Sequence, residues 1–486
     1  MVFYLNRGAE IMASSPLLKL FKTSTQDFYL FDANKNYILA IDGEIYSVLD
    51  ELLTFDDFYE AVSEVKSKHF IEFYTRALRD GFFKNNRVEE IEHPMGKFLD
   101  VMLKDNLSSV CLQVTQNCNL RCDYCPYTGN YYENRGHENK RMSFSLAQKA
   151  IDYLARHSSG SRRLNIAFYG GEPLLEVDLI RKCITYADAL FEEKFHTYSI
   201  TTNGTLLDEE IIELLVYNNV YLTVSIDGPQ AIHDRSRVYA DGRGSFSTII
   251  KKLQWLRDTQ PEYFGKYVSF NTVLSELGDF TCVDDFFSAK DLFEQSVIGT
   301  TFYNDTYIKK EHERSKSFSE DLQYERFKYF LSRLGRIHMK SVINANAFEQ
   351  LARTAKMITP FEHLPKKFHP SGPCIPGYFK PFLNTEGNFY PCERVNEKSD
   401  VSIIGNIETG IDPEKCKYLL NIAKITESDC KNCWAFLYCR MCFIKADENG
   451  VLSSEKRLSF CEQMKAFIVE DFKDICVMKK HGFAFL

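Results

Sequence analysis

The sequence lacks the features that mark membrane, secreted and nucleic-acid-binding proteins. No apolar run is long enough to cross a bilayer. The opening MVFYLNRGAEIM lacks the basic start and long apolar stretch of a secretion signal, whether translation begins at Met1 or at Met12. The net charge is −8, so there is no excess of positive charge for broad binding to nucleic acid. We therefore expect a cytoplasmic protein that binds neither membranes nor nucleic acids.

Cysteine is abundant instead, at 15 residues in a chain of 486. The cytosol keeps thiols reduced, so a disulfide scaffold is excluded as an explanation for them. The spacing is uneven, with dense groups at 118–125 and 430–442. Clusters of this kind indicate metal or iron–sulfur ligation. The five cysteines that stand apart are expected to be small core residues, and they are Cys111, Cys183, Cys282, Cys416 and Cys476.

The chain is too long for one core, and its first part, residues 13–100, is predicted to be a separate module. Short aromatic-rich runs such as FYLFDA and YILAID predict a small antiparallel sheet. Apolar residues at helical spacing then predict helices. This order is typical of a winged helix, but a basic recognition helix for DNA is missing. A sheet edge that accepts an extended peptide is the competing interpretation.

Residues 108–330 alternate between strand-like and helix-like segments, which predicts an α/β fold with a parallel sheet, either a barrel or a doubly wound sheet. Ligand-binding loops should then lie at the carboxyl ends of the strands. Residues 331–370 are predicted to be a helical connector, 371–465 a cysteine-rich domain and 466–486 a C-terminal helix.

The loop CNLRCDYC brings three thiols, Cys118, Cys122 and Cys125, after a predicted strand. A zinc site normally uses two separated pairs of ligands, and His137, twelve residues further on, is not near enough in sequence to complete one. Three thiolates on one loop suit a [4Fe–4S] cluster with one iron left open. The loop resembles that of radical S-adenosylmethionine (SAM) enzymes, including the aromatic Tyr124.

This resemblance implies a partial (β/α)6 barrel in which SAM binds the open iron. An electron, supplied by a donor such as flavodoxin or ferredoxin, then cleaves SAM to a 5′-deoxyadenosyl radical that abstracts hydrogen from a substrate. The cofactor performs the difficult chemistry, while the protein positions and shields it. No residue of the sequence identifies a general acid or base.

Three further motifs follow successive predicted strands and resemble the SAM contacts of this family, namely YGGEPLL, TTNGTLL and SIDG. Two glycines let a ligand approach the backbone closely. Glu172 is predicted to accept a hydrogen bond from the SAM amino group, and either Arg235 or Arg237 to pair with the SAM carboxylate. The candidate cofactor contacts are Gly170, Gly171, Glu172, Pro173, Thr202, Asn203, Ser225, Asp227, Arg235 and Arg237.

The second cysteine group resembles the SPASM domain of radical SAM enzymes. Its close C-x2-C pairs are spaced too tightly for a usual zinc ribbon. The resemblance implies one auxiliary [4Fe–4S] cluster with four ligands, Cys430, Cys433, Cys439 and Cys461. A second cluster would be held by Cys374, Cys392 and Cys442, although only two residues rather than the usual three precede Cys442. Its fourth position would be taken by Cys416 or left open for a substrate thiolate, and we favour the open position.

SPASM enzymes commonly modify peptides, and residues 13–100 resemble the winged-helix-like element that captures leader peptides of ribosomally made precursors. We therefore predict three [4Fe–4S] clusters, SAM as cofactor and a precursor peptide as partner. The predicted reaction is hydrogen abstraction from the peptide followed by attack of a cysteine thiolate, which forms a thioether. Carbon–carbon crosslinking and formylglycine formation, as in sulfatase-maturing enzymes, are the alternatives within the family. A zinc-stabilised regulatory binding protein is the non-enzyme alternative.

Overall fold

The structure is a computed structural model that describes residues 15–131, 134–275, 280–289, 291–294, 296–302, 309, 316–362, 364–370, 372 and 374–485. Both candidate start methionines, and residues 303–308 and 310–315 of the predicted barrel, lie outside the described residues. Within them, no helix is both long and apolar enough to span a membrane.

The N-terminal part forms a three-stranded antiparallel sheet followed by three helices. Its strands lie in the order β1-β2-β3. The elements are β1 Leu18–Lys22, β2 Phe28–Asp32, β3 Tyr37–Ile41, α1 Gly43–Leu52, α2 Phe58–Ser63 and α3 Lys68–Arg79. The side chains of Asp42, Asp57 and Ser67 cap the three helices by accepting hydrogen bonds from backbone N–H groups of the first turn.

Both faces of the first two strands of this small sheet are covered, whereas no residue of β3 is fully buried. Leu20 and Leu30 face helices α1–α3 and pack in one apolar cluster with Leu49. Phe31 faces the other way, and its ring centroid lies 4.8 Å from that of Phe472 in the C-terminal helix. Because successive side chains of a strand point to opposite faces, β1 and β2 are held between the helices of this module and the cysteine-rich segment.

The centre of the molecule is a ten-stranded sheet in the order β10-β9-β8-β7-β6-β5-β12-β13-β14-β15. Strands β5 to β10 are all parallel, as predicted for an α/β fold. The elements up to β10 are β4 Glu90–Ile91, α4 Leu99–Asp105, β5 Ser109–Thr115, α5 Phe144–Arg156, β6 Leu164–Gly170, α6 Val177–Leu190, β7 His196–Thr202, α7 Glu209–Tyr217, β8 Tyr221–Ser225, α8 Gln230–Ser236, α9 Phe246–Thr259, α10 Pro261–Tyr267, β9 Val268–Leu274, α11 Phe280–Ala289 and β10 Ile298–Phe302.

Local sequence explains why these elements form. Every residue of β5 is buried, which is typical of a strand covered on both faces of a parallel sheet. Helix α5 is capped by Ser143, whose Oγ accepts a hydrogen bond from the Leu146 N–H at 3.1 Å.

The remaining elements are α12 Lys316–Arg333, α13 Val342–Met357, β11 Lys367–Phe368, β12 Phe382–Leu383, β13 Asn388–Tyr390, β14 Gly405–Asn406, β15 Gly410–Ile411, α14 Pro413–Leu420, α15 Glu427–Lys431, β16 Asp447–Glu448, β17 Val451–Leu452, α16 Ser454–Ser459 and α17 Cys461–Lys480. Strand β12 pairs in parallel with β5, so the central sheet crosses the predicted domain boundary at residue 371. Helix α17 begins at Cys461, five residues before the predicted C-terminal helix.

The isolated cysteines follow the prediction with one correction. Cys111, Cys183, Cys416 and Cys476 are buried. Cys282 is exposed on α11, so the expectation that it is a core residue is wrong. The expectation rested on the general tendency of isolated cysteines to be buried, but this residue lies on the outward side of its helix.

Candidate active site

The loop with the first three thiols follows β5 and is held by backbone hydrogen bonds. The Arg121 N–H donates to the Val238 carbonyl at 2.7 Å, and the Asp123 N–H donates to the Ser236 carbonyl at 3.1 Å. The Cys125 N–H donates to the Cys122 carbonyl at 3.1 Å, which closes a turn. The loop is therefore fixed against the segment that follows α8.

The three thiols of this loop lie close enough to affect one another. Burial raises the pKa of Cys118 to about 12, and the neighbouring Glu172 and Cys125 add to this increase. Burial also raises the pKa of Cys122. The Arg237 guanidinium opposes this increase, whereas the Cys125 and Cys118 thiols add to it. Cys125 is shifted in the same direction by burial. Buried thiols of this kind lose their protons readily only when a metal binds the sulfur in place of the proton.

The two glycines of YGGEPLL let the cysteine loop approach the end of β6 closely. A Cβ on Gly170, whose φ is +147°, would lie 2.2 Å from the Thr115 carbonyl oxygen. A Cβ on Gly171 would lie 2.1 Å from the Asn117 carbonyl oxygen and 3.1 Å from the Cys118 Cβ. The backbone of the cysteine loop therefore occupies the space where side chains would lie, so both positions require glycine. Their contact with the cofactor stays a prediction.

Glu172 connects this motif to the next one. Its side chain is completely buried. The Thr202 hydroxyl donates to Oε1 at 2.6 Å, the Leu174 N–H donates to Oε1 at 3.0 Å, and the Asn203 N–H donates to Oε2 at 2.7 Å. A carboxylate has about four acceptor positions, so three are taken and about one is left for the predicted SAM amino group. The adjacent Pro173 is buried and begins a short 3-10 turn.

Asn203 connects the third motif to the cysteine loop. Its Nδ2 donates to Asn119 Oδ1 at 2.8 Å and lies 3.9 Å from Cys118 Sγ. Its Oδ1 accepts from the Thr205 N–H at 2.9 Å. Asn119 in turn donates to the Thr205 hydroxyl at 2.8 Å. Asn119 and Thr205 were missed in the sequence, although both lie inside motifs that were noted for their neighbours.

Asp227 and Arg237 form a buried ion pair beneath the loop. Arg237 Nε donates to Asp227 Oδ2 at 2.8 Å, and the Tyr124 hydroxyl donates to the same oxygen at 2.5 Å. The Arg237 guanidinium also lies 5.3 Å from the centroid of the Tyr124 ring. Ser225 is buried at the end of β8 close in sequence to this pair, whereas Arg235 is exposed. Of the two candidate arginines, the structure therefore places Arg237 at the site.

A second buried ion pair was missed because its members are 262 residues apart in sequence. Arg135 Nε donates to Glu397 Oε1 at 2.7 Å. The Arg135 guanidinium stacks 3.5 Å from the centroid of the Tyr127 ring, and the Tyr127 hydroxyl donates to the same carboxylate. Nearby, His137 is deeply placed, and burial lowers its pKa to about 4. These contacts join the segment after the cysteine loop to the cysteine-rich part of the chain.

The structure brings Cys374, Cys392 and Cys442 together. Burial and then Glu393 raise the pKa of Cys392 to about 12, and the Cys442 and Cys374 thiols contribute to the same increase. Cys374 likewise raises the pKa of the buried Cys442 thiol. This is the set that the resemblance to a SPASM domain predicted for one cluster.

Cys416 does not belong to this set. It is fully buried in the apolar core, and a Cβ on Gly377 would lie 3.0 Å both from its Sγ and from Ile404 Cδ1. Burial and Asp412 raise its pKa, with no thiol among the causes. Cys416 is therefore not brought to this set, and the open fourth position stays a prediction.

The other four cysteines form a separate group. Burial raises the pKa of Cys433 to about 11, with contributions from Cys439 and Cys430. Cys430 also raises the pKa of Cys461 and of Cys439. The Thr426 Oγ1 lies 3.3 Å from Cys430 Sγ. These are the four thiols predicted to hold the other auxiliary cluster.

The donor sets fit clusters better than single ions. Within the described ranges, no group of three or more His, Cys, Asp or Glu side chains is close enough to hold one metal ion. In a [4Fe–4S] cluster each thiolate binds a different iron, so the sulfur atoms lie farther apart than around one zinc ion. All donors in the three groups are cysteines, which are the usual ligands of such clusters.

Comparison with known proteins supports the radical SAM interpretation of the first group. A family profile described as Radical SAM superfamily matches residues 112–275, a range that includes the cysteine loop and all ten candidate cofactor contacts. The chain therefore contains a radical SAM domain, which implies SAM and one [4Fe–4S] cluster as cofactors. The relatives described below are named as enzymes, which favours an enzyme over the regulatory zinc protein.

Two relatives and one solved structure show how far the similarity extends. The radical SAM cyclopropyl synthase TigE of Paramaledivibacter caminithermalis is 28% identical over 279 residues, which is 54% of this chain and 57% of TigE. The cysteine-type anaerobic sulfatase-maturating enzyme of Clostridium novyi is 24% identical over 396 residues, which is 77% of this chain and 98% of that enzyme.

The solved structure is that of native anSMEcpe with bound AdoMet and Cp18Cys peptide. It has a TM-score of 0.56 and 21% identity, and the match covers 77% of this chain and 99% of anSMEcpe. At this identity the likeness concerns the fold, and it agrees with the predicted α/β class.

Proposed function

We propose that this radical SAM enzyme modifies a peptide substrate and uses three [4Fe–4S] clusters. The observation that carries the proposal is the separation of ten cysteines into three groups in the fold, with Cys416 apart from them. Cys118, Cys122 and Cys125 would hold the cluster that binds SAM. The group of Cys430 would hold a complete auxiliary cluster, and the group of Cys374 one with an open position, as in a SPASM domain.

When bound, SAM and its cluster supply a radical that can abstract hydrogen from a carbon atom. The chain contributes a site whose parts are fixed to one another. Glu172 holds the backbone of Asn203, and Asp227 orients both Tyr124 and Arg237. The buried Arg237 cation beside Cys122 offsets part of the negative charge that three thiolates bring.

The N-terminal sheet supports a peptide partner. Strand β3 is one edge of the sheet and lines a groove of about 710 Å³ with residues of α17, among them Ile475 and Lys479. Its sequence YILAI contains no charged residue, whereas the opposite edge, β1, carries Lys19 and Lys22. Lysines on an edge strand discourage pairing with another chain. We therefore propose that the leader of a precursor peptide adds a strand along β3.

The proposed product is a thioether between a peptide cysteine and a carbon atom from which hydrogen was removed. The open position near Cys374, Cys392 and Cys442 could hold the thiolate of that peptide cysteine. Carbon–carbon bond formation is the second candidate, because TigE is a cyclopropyl synthase. Formylglycine formation is the third, because the Clostridium novyi relative matures sulfatases and the match covers 98% of its length.

The first experiment tests the radical chemistry. The purified chain is reconstituted anaerobically with iron and sulfide, reduced, and supplied with SAM. We expect a brown protein that absorbs broadly near 400 nm, as [4Fe–4S] proteins do, and that forms 5′-deoxyadenosine. The combined variant C118A, C122A and C125A should form none, while C282A, which alters an exposed cysteine outside the three groups, should match the parent. Equal rates in the parent and the combined variant would exclude the proposal.

The second experiment distinguishes the products. Short peptides encoded next to this chain are incubated with the reconstituted enzyme and analysed by mass spectrometry before and after thiol alkylation. A thioether removes two hydrogens and blocks one thiol from alkylation. A carbon–carbon crosslink removes the same mass but leaves every thiol reactive, and formylglycine introduces an aldehyde that reacts with a hydrazide.

A further inference from the structure

Arg457 is a buried cation with no buried anion beside it. Its side chain is completely inaccessible, and it is the largest of the fully buried side chains. Among the residues that the structure describes, no carboxylate lies within ion-pair distance of it, and its Nη2 has no hydrogen-bond partner. A buried charge without a partner is strongly unfavourable. The position therefore requires a source of negative charge that the folded polypeptide does not supply.

The other buried arginines differ in this respect. Arg135 is paired with Glu397 at 2.7 Å, and Arg237 with Asp227 at 2.8 Å. Both pairs are almost completely buried, so the fold provides a carboxylate wherever it buries a guanidinium near the first cysteine loop. Arg457 departs from this pattern.

The hydrogen bonds of Arg457 place it between the two C-terminal groups of cysteines. Its Nε donates to Thr426 Oγ1 at 3.3 Å, and that oxygen lies 3.3 Å from Cys430 Sγ. Its Nη1 donates to the Met441 carbonyl at 3.5 Å, immediately before Cys442. One end of the guanidinium thus faces the group of Cys430 and the other faces the group of Cys442.

The electrostatics agree with this placement. The Arg457 charge opposes the burial that raises the pKa of Cys439 and Cys461 in one group, and of Cys442 in the other. It also helps burial to lower the pKa of His369 to about 3, so this neighbouring imidazole is neutral and adds no second positive charge. Thiolates on both sides would provide the negative charge that Arg457 lacks.

We propose that Arg457 is a positioning residue shared by the two auxiliary clusters, where its buried charge compensates the thiolate ligands of both and raises both reduction potentials. The inference rests on the proposed three-cluster function. A cation favours the reduced state of a nearby cluster because reduction adds one negative charge. Because the Arg457 guanidinium reaches both groups of cysteines, one substitution should affect two clusters together.

The test is a redox titration of the reconstituted full chain followed by electron paramagnetic resonance. Arg457→Met should lower the midpoint potentials of both auxiliary clusters and leave that of the Cys118 cluster unchanged. At a fixed potential, the ratio of reduced to oxidised auxiliary cluster should be at least tenfold lower than in the parent. This change corresponds to a shift of about 59 mV in the midpoint potential of a one-electron couple. Arg457→Lys, which keeps the charge, should stay close to the parent.

Arg440→Met is the matched control. Arg440 is adjacent to Cys439 in sequence, but its guanidinium is 40% exposed and lies 3.8 Å from Asp471. Its charge is therefore screened and compensated, and we expect no tenfold change. A shift in R440M as large as that in R457M, or unchanged auxiliary potentials in R457M, would overturn the inference.

Thermal unfolding separates charge compensation from a merely structural role. Without iron, R457M should be at least as stable as the parent, because it removes an uncompensated buried charge. With clusters bound, it should lose iron to a chelator faster than the parent. If R457M is less stable than the parent without iron, the residue serves the fold and the proposal fails. If the parent itself binds iron and sulfide for only one cluster, the proposed three-cluster function fails instead, which is a separate result.

Discussion

The substitution Gly171→Ala tests whether the second motif positions the cysteine loop. The added Cβ would lie 2.1 Å from the Asn117 carbonyl oxygen, whereas ordinary contacts begin near 3.4 Å. The neighbour is backbone and cannot rotate away, so the loop must withdraw by about 1.3 Å. Two hydrogen bonds would be strained, from the Gly171 N–H to the Thr115 carbonyl and from the Glu172 N–H to the Asn117 carbonyl.

The expected cost follows from these contacts. Overpacking costs about 1–3 kcal/mol, and each weakened backbone hydrogen bond about 1 kcal/mol, so we expect a loss of about 3 kcal/mol in the free energy of unfolding. A site displaced by about 1 Å also loses catalytic rate, by about 100-fold. Cys118 lies next to Asn117 and should move with it.

Denaturant unfolding of the iron-free chain measures the stability, and 5′-deoxyadenosine formation by the reconstituted enzyme measures the rate. Gly136→Ala is the matched control, because a Cβ there would meet nothing within 4 Å. We expect G136A to match the parent in both assays. If G171A also retains parental stability and rate, the loop does not depend on this contact and our account of the motif is wrong.

Three further predictions concern the ion pair, the response to acid and the peptide groove. Asp227→Asn should cost about 3–5 kcal/mol in stability, because it leaves the buried Arg237 guanidinium without its anion. Burial lowers the pKa of His369 to about 3 in the folded chain, whereas in the unfolded chain the imidazole takes up a proton below about pH 6.5. Between these two pH values protonation favours the unfolded chain, so the free energy of unfolding should fall by about 1.4 kcal/mol for each unit by which the pH decreases. His369→Gln should remove this contribution to the slope, while its amide oxygen can accept from the Ala423 N–H as the imidazole does at 2.9 Å. Ala40→Glu places a charge in the groove beside β3 and should weaken binding of a substrate peptide at least tenfold.

Controls are available for each of these. Asp241→Asn breaks an exposed pair with Arg243 and should leave the free energy of unfolding almost unchanged, because solvent screens such pairs. The free energy of unfolding, measured against pH in the parent and in H369Q, should change with different slopes between about pH 6.5 and 4 and with the same slope above pH 7. Equal slopes throughout would contradict the assignment of the low pKa to His369. Tyr217→Glu, at a residue that is 87% exposed and does not line the groove, should bind the peptide as the parent does. Equal peptide binding by A40E would argue against the β3 edge.

Much of the fold could be predicted because its signals are local. Alternating strand and helix patterns over residues 108–330 predicted the parallel sheet. The exposed Cys282 was predicted wrongly, because the isolation of a cysteine in the sequence says nothing about which side of α11 faces solvent. The pairing of β12 with β5 could not be predicted, since strands of two residues carry too little pattern to specify a partner.

The candidate site likewise combines features that the local sequence predicted and features that it could not predict. The spacing of Cys118, Cys122 and Cys125 predicted a radical SAM loop, because three ligands on one short loop restrict the chemistry whatever surrounds them. The packing of Gly171 against Asn117 could not be predicted, because a glycine indicates that something comes close and does not indicate what. The pair of Arg135 with Glu397 was invisible, since no local pattern links residues so far apart.

The order of the motifs along the chain was enough to determine the class of chemistry, because metal ligands and tight turns are encoded by residues a few positions apart. Packing alone decided which thiols meet, that Cys416 faces the apolar core, and that Arg457 lies between two groups of cysteines. Such contacts join segments distant in sequence, and they depend on burial and on charge balance across the whole fold, which no short stretch of sequence contains.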